Sequence, residues 1–200
     1  SLIVMVVEKD QVRAEIVGVA RKIFTRYGFR KTTMEEIAAA SRKGKSSIYY
    51  YFKSKEDIFR AVVEHEAAEL RTELYRAINS KKDPIERLKA YVMFRLYNIK
   101  TVSNFYAALK DEFLEQMEFI EEIRQRFDEE ELSVVRGILE TGIREGAFKI
   151  NNPEIGAIAI STMLKGLELP LFLNKYKRSE KEKLLDDLIR VIFYGLIKRG

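Results

Sequence analysis

Residues 32–59 read TTMEEIAAASRKGKSSIYYYFKSKEDIF, and the organisation of the whole chain can be worked outward from them. Thr33 is followed three residues on by Glu36, the spacing at which a hydroxyl and a carboxylate cap each other's backbone amide at a helix start. Met34, Ile37 and Ala38 give that helix one apolar side, which runs out near Ser41. A gap through Gly44 follows, then a second short helix over about Lys45 to Phe52. Adjacent helical residues point about 100° apart, so one core cannot take three consecutive tyrosines. Ile48 and Phe52, four apart, face inward. Ser46 and Tyr50 point the opposite way, Ser47 and Tyr49 flank them, and Tyr51 lies nearer the core side. At least two tyrosines therefore point outward, among Lys43, Lys45, Lys53 and Lys55.

Two short helices meeting at a tight turn form the helix-turn-helix pattern, in which the second helix enters the DNA major groove. The residue types suit that task. Lysines neutralise phosphates, tyrosine hydroxyls bond phosphate oxygens, and small serines allow close approach to base edges. The charge distribution points the same way. Residues 1–56 hold 12 Lys/Arg and 6 Asp/Glu, a balance of +6, whereas the net charge of the 200-residue chain is +5. All the excess positive charge thus lies in the first quarter, the footprint of a polyanion site on an otherwise neutral protein.

Elsewhere helical periodicity dominates and strand-like alternation is nearly absent. Val12, Ile16, Val19, Ile23, Phe24 and Tyr27 recur at steps of three and four before Gly28. Ser54 and Asp57 cap a long helix that continues through Leu70, Leu74 and Ile78. The stretch NSKKDP, residues 79–84, breaks it; Asp83 as cap and Pro84 at the first helical position open another, to about Lys100. A shorter helix follows TVSN, then a long one over about 112–145 that ends at Gly146. Asn152 and Pro153 repeat the cap-plus-proline signal, and Ser179 with Glu182 opens the last helix. The pattern predicts an all-α protein of about nine helices. A small three-helix unit at residues 1–54 carries the helix-turn-helix, and a larger helical bundle occupies residues 55–200.

Residues 184–197, LLDDLIRVIFYGLI, become apolar on nearly every face, as a helix buried on several sides does. Residues 155–173 mix small residues with large aliphatics, which permits close helix approach. Two such helices from each of two subunits would make a four-helix bundle across a two-fold axis. Ile158, Leu164, Leu167, Leu185, Leu188, Ile192 and Leu196 are the candidate contacts of that homodimer. In the middle helices Tyr91, Phe94, Tyr97, Phe105, Tyr106, Phe113 and Met117 crowd together. They suit either a plain core or an aromatic-lined pocket for an apolar or partly apolar small molecule.

Other chemistries find little support. The chain has no cysteine and one histidine, His65, within VVEHEAAE. No cluster has metal-ligand spacing, no glycine-rich phosphate loop occurs, and neither a catalytic centre nor a cofactor is expected. No apolar run approaches the roughly 20 residues that cross a bilayer. The opening SLIVMVVEKD has neither a basic leader nor a cleavage site, so a cytoplasmic, membrane-free protein is expected. A helical interaction adaptor is the competing class, but a membrane-surface binder would need one long amphipathic helix rather than two short capped ones.

The quoted stretch resembles the signature of the TetR family of transcriptional regulators, and IFTRYGFRKTT, residues 23–33, matches that family's lead-in. Beyond residue 80 only the layout agrees, including GIREGAFKINNPE, residues 142–154, before two final helices. The resemblance implies an N-terminal helix-turn-helix on a helical ligand-binding and dimerisation domain. Most members repress transcription from an operator and leave it when a small molecule binds; a constitutive or activating regulator is the alternative. Position by position, Thr33 would contact the DNA backbone. Lys45, Ser46, Ser47, Tyr49 and Tyr50 would meet bases and phosphates, and Lys55 would hold a phosphate at the start of the fourth helix. Ile37, Ala38, Ile48 and Phe52 would form the core of the unit. One departure stands out. The family turn commonly reads Ala-Gly-Val-Ser, whereas this chain has Ser41, Arg42, Lys43 and Gly44. The glycine is displaced by two and the valine is a lysine, which leaves the turn geometry open.

Overall fold

The computed structural model describes residues 2–97, 103–108 and 117–172, with residues 183, 187, 189–191, 193 and 194. Side chains are described at 8–96, 104, 107, 108, 117–166 and those last seven positions. Eight helices are defined among these residues: α1 Leu2–Tyr27, α2 Met34–Ala40, α3 Lys45–Tyr51, α4 Lys55–Asn79, α5 Pro84–Tyr97, α6 Ser103–Ala108, α7 Glu118–Arg144 and α8 Pro153–Phe172. The chain divides into two compact units. The first comprises Ser1–Glu69 with Ser103–Glu121, the second Leu70–Val102 with Glu122–Gly200.

The caps read from sequence are formed. Thr33 Oγ1 accepts from the Glu36 amide at 3.2 Å, and the Thr33 amide donates to Glu36 Oε2 at 2.8 Å, closing the reciprocal box that starts α2. The Asp57 amide donates to Ser54 Oγ at 3.1 Å before α4. Asp83 Oδ1 accepts from the amides of Ile85 and Glu86 at 2.9 and 3.0 Å, and Asn152 Oδ1 serves Glu154 and Ile155 likewise. The long helix is described from Glu118, after a bend at Met117 whose carbonyl accepts from the Ile120 amide at 2.9 Å. Residues 112–116, and the helix expected from Ser179, lie outside the described residues.

Among the described residues, three helix ends pass through left-handed backbone. After α1 the turn uses Gly28 at φ 80°, and after α7 it uses Gly146 at φ 75°. After α7 the Ala147 amide donates to the Gly142 carbonyl at 2.7 Å and the Gly146 amide to the Ile143 carbonyl at 3.1 Å. That pair of bonds is the Schellman closure, in which glycine avoids the clash between Cβ and carbonyl. The end of α2 has the same two bonds. The Lys43 amide donates to the Ala38 carbonyl at 3.0 Å and the Arg42 amide to the Ala39 carbonyl at 3.1 Å. Here the left-handed residue is Arg42, at φ 54°. Gly44 sits at φ −68°, as the residue before α3, and does not use its freedom. The displaced glycine of the sequence therefore leaves the turn closed in the ordinary way, at a strain of about 1–2 kcal/mol carried by an arginine.

The first unit is centred on Ile16, Phe24, Ile37, Ile48, Phe52, Phe59 and Val62, all buried. Phe59 meets the Phe24 ring edge-on at 5.1 Å and the Phe29 ring at 4.9 Å. Each such ring withdrawn from water contributes about 1.5–3 kcal/mol, so this cluster suffices to seat α2 and α3 against α1 and α4. Tyr27 departs from the predicted apolar face: it is exposed, with the Arg26 guanidinium over its ring. A polar joint adds to the apolar one. Glu66, buried on α4, accepts from Arg21 Nε at 3.0 Å and from Asn104 Nδ2 on α6 at 2.9 Å. Asn104 Nδ2 also lies 3.1 Å from the Arg21 carbonyl and 2.9 Å from Thr25 Oγ1, tying α6 to α1.

The second unit packs Leu74, Ile78, Leu88, Val92, Val135, Ile138, Leu139, Phe148, Ile160 and Leu164 into its core. A Cβ at Gly142 would overlap the Phe148 ring, so this glycine is required for the close approach rather than for its dihedral angles.

Candidate nucleic-acid interface

The reading helix α3 is held from beneath and open above. Ile48 and Phe52 are wholly or almost wholly buried, whereas Tyr49 and Tyr50 are 43% and 68% exposed and Ser46 is exposed. Ser47 and Tyr51 are placed on the flanks, Tyr51 half-buried. The inward and outward assignment drawn from the 100° helical step thus describes the folded helix. Tyr50 is itself braced: the Tyr51 ring meets it edge-on at 5.0 Å, and Lys9 Nζ of α1 lies 5.1 Å from its centroid. A preoriented exposed aromatic loses little side-chain entropy on binding.

The predicted cations are less free than the sequence suggests. Lys45 forms an ion pair with Glu35 of α2, which lowers the Glu35 carboxyl below its ordinary value and raises the Lys45 ammonium above its own. Lys43 Nζ lies 3.7 Å from Glu15. Lys55, the first residue of α4, donates to the Phe29 carbonyl at 2.9 Å and lies 4.3 Å over the Phe29 ring. It locks the loop after α1 to the start of α4 and keeps two of its three protons for another acceptor. Thr33 is exposed, with its hydroxyl engaged by Glu36 at 3.0 Å. Lys53 is exposed and has no partner among the described residues, and the same holds for Arg42, which the sequence places in the altered turn but which was not among the expected DNA contacts.

Glu35 therefore places a negative charge against one of the predicted DNA-contacting cations. Glu35→Gln is expected to tighten duplex binding and to steepen its salt dependence, by up to roughly 0.9 in log K against log salt for each Lys45 released to a phosphate. Fluorescence anisotropy at several salt concentrations measures this, and an unchanged slope would remove Lys45 from the interface.

The ligand candidates fall in both units. Tyr91 and Phe94 are buried in the second, whereas Met117, half-buried, belongs to the first. Phe113 and the side chains of Tyr97, Phe105 and Tyr106 lie outside the described residues. Around Tyr91 the structure reveals polar neighbours that no local pattern signals. Arg95 Nε lies 2.9 Å from Glu131 Oε1, the two side chains being 5% and 2% exposed, and Ser161 is buried with them. Burial, reinforced by the Glu131 charge, pushes the Tyr91 hydroxyl above its ordinary value. Burial also raises the Glu131 carboxyl, against the pull of Arg95. A hollow of about 10 Å³, room for about one water, adjoins Glu131 and is lined also by Leu74, Tyr75 and Phe127. Of the dimer candidates, Leu164 is wholly buried within its own chain and is taken up by the core of the second unit, while Ile158 is exposed. Ile155, Val191 and Tyr194, which lie within the two stretches expected to pair but were not among the named contacts, are exposed as well. The side chain of Leu167, and Leu185, Leu188, Ile192 and Leu196, lie outside the described residues. No described helix is long and apolar enough to cross a membrane.

A reading helix buried at its base and open at its top, set on a Schellman turn and flanked by lysines, defines a helix-turn-helix DNA-binding protein. Comparison with known proteins gives the family. Residues 16–62 match the model of bacterial regulatory proteins of the tetR family, and residues 73–198 match that of the QacR-like protein C-terminal region. The chain belongs to the TetR family of transcriptional regulators. It is similar to the HTH-type transcriptional regulator QacR of Staphylococcus aureus, 24% identical over 191 residues, covering 92% of this chain and 97% of that protein. It is also similar to the HTH-type transcriptional repressor NicS of Pseudomonas putida, 28% identical, covering 71% and 68%. A solved transcriptional regulator from Cytophaga hutchinsonii superposes with a TM-score of 0.76 at 29% identity, covering 92% of this chain and 97% of that one. The family consists of regulators, not enzymes.

Proposed function

We propose that this regulator is a repressor that binds a palindromic operator as a homodimer and leaves it when an apolar or partly apolar small molecule binds. Residues 1–54 serve as the DNA-binding domain and residues 55–200 as the ligand-binding and dimerisation domain. The observation that carries the DNA assignment is the pair Tyr49 and Tyr50, exposed on a helix whose opposite face, Ile48 and Phe52, is buried. Pairing is supported by Ile155 and Ile158, three residues apart and both exposed on α8, an apolar surface that a second copy would cover. The effector assignment is supported by the aromatic content of the middle helices, and the similarity to NicS, a repressor, supports the sign of regulation. A protein acting on operator DNA would work in the cytoplasm.

Selection of bound fragments from genomic DNA, followed by comparison of two variants, tests this. Tyr50→Ala is expected to weaken the selected site by about 1–3 kcal/mol for each base that Tyr50 reads, while leaving mixed-sequence duplex nearly unaffected. Lys53→Ala is expected to weaken both about equally, because a phosphate contact carries no sequence information. Identical behaviour of the two variants would remove Tyr50 as a base reader, and failure to recover any fragment would count against operator binding.

A further inference from the structure

We propose that Arg42, carried on the turn between α2 and α3, is a phosphate-binding residue of the DNA interface. The proposal rests on the DNA-binding reading above and adds to it a contact that its motif does not contain. Arg42 occupies the left-handed position of a Schellman closure, at φ 54°. The equivalent position after α7, closed by the same two hydrogen bonds, is Gly146, and the left-handed residue after α1 is Gly28. Glycine meets this geometry without a clash, and asparagine tolerates it far better than a long side chain does. The chain thus uses glycine at two of the three described ends of this kind and an arginine at the one that adjoins the reading helix.

Nothing among the described residues accounts for the arginine. Its side chain is exposed and has no partner among them. Its neighbours differ: Lys43 has Glu15, Lys45 has Glu35 and Lys55 has the Phe29 carbonyl. A free guanidinium three residues before the start of α3 is a charge that reaches DNA without first breaking an internal contact. Its planar fork matches two oxygens of one phosphodiester, which a lysine cannot do. The Schellman bonds fix the backbone from which it extends, so the side chain is the only part left to order on binding.

The test uses the full chain, a labelled mixed-sequence duplex and three variants, with binding measured across a salt series and melting temperature measured alongside. Arg42→Gly and Arg42→Asn relieve the backbone and remove the charge. Both are expected to melt at the wild-type temperature or higher, to bind more weakly, and to lose roughly 0.9 of the log–log salt slope per protomer. Arg42→Lys keeps the charge and the strain and is expected to keep the slope. The proposal is overturned if Arg42→Gly retains the wild-type slope, or if Arg42→Lys loses it. A melting temperature that falls in both Arg42→Gly and Arg42→Asn would make the residue structural and also overturn it. A wild-type protein whose binding ignores salt would instead bring down the DNA-binding reading itself, before any variant is compared.

Discussion

Arg95→Ala is expected to destabilise the protein by about 3–5 kcal/mol, because it leaves the Glu131 carboxylate buried without its charge partner. With folding free energies of about 5–15 kcal/mol, that loss alone approaches the whole margin of a modest domain. The double variant Arg95→Met with Glu131→Leu removes both charges and keeps the volume, and is expected to be near neutral or stabilising. Urea unfolding of the three proteins separates the two outcomes. Acid narrows the gap. Glu131 has a folded value raised above the ordinary 4.5, so its contribution to stability is full below that ordinary value and is lost as pH rises through the raised one. Arg95→Ala should therefore be least different from wild type in mild acid and most different near neutrality. A single variant as stable as wild type at neutral pH would contradict the expected loss of a buried charge partner.

Raising salt fourfold is expected to weaken duplex binding by about two to four orders of magnitude, the larger effect on function. If Lys43, Lys45, Lys53 and Lys55 of both protomers each neutralise a phosphate, the log–log slope is about −7. If only Arg42 and Lys53 of each protomer do so, the cations without partners among the described residues of this interface, it is about −4. The measured slope thus counts how many internal ion pairs the DNA exchanges for phosphates. A value near zero would contradict the interface altogether.

Many of the helix starts in both units, and the faces of α3, were legible because their signals are local. Thr33 with Glu36, Ser54 with Asp57, and Asp83 with Pro84 each state a helix start within four residues, and each cap is formed. Ile48 and Phe52 against Tyr49 and Tyr50 needed only the helical step. What the sequence withheld is long-range. Glu35 and Lys45 lie on different helices, so their pairing depends on how the turn brings α2 to α3. Arg95 and Glu131 sit among many charged residues on amphipathic helices, and nothing local marks those two as buried. Leu164 looked like an interface residue because its helix is apolar on several faces, and only packing decides which face a second copy would meet. The turn was the intermediate case. Its missing glycine was visible, but which residue would take the left-handed angle was not.

The Asn104 amide has one further consequence. Its nitrogen carries two protons and faces three oxygens, those of the Arg21 carbonyl, Thr25 and Glu66. Two of those oxygens also have other donors: Glu66 Oε1 accepts from Arg21 Nε at 3.0 Å, and the Arg21 carbonyl accepts from Thr25 Oγ1 at 2.8 Å. The joint between α6, α1 and α4 is therefore a mesh of overlapping bonds, in which the carboxylate is the strongest acceptor. It is a redundant fastening: removing one acceptor leaves the amide others to donate to, so no single bond carries the helix.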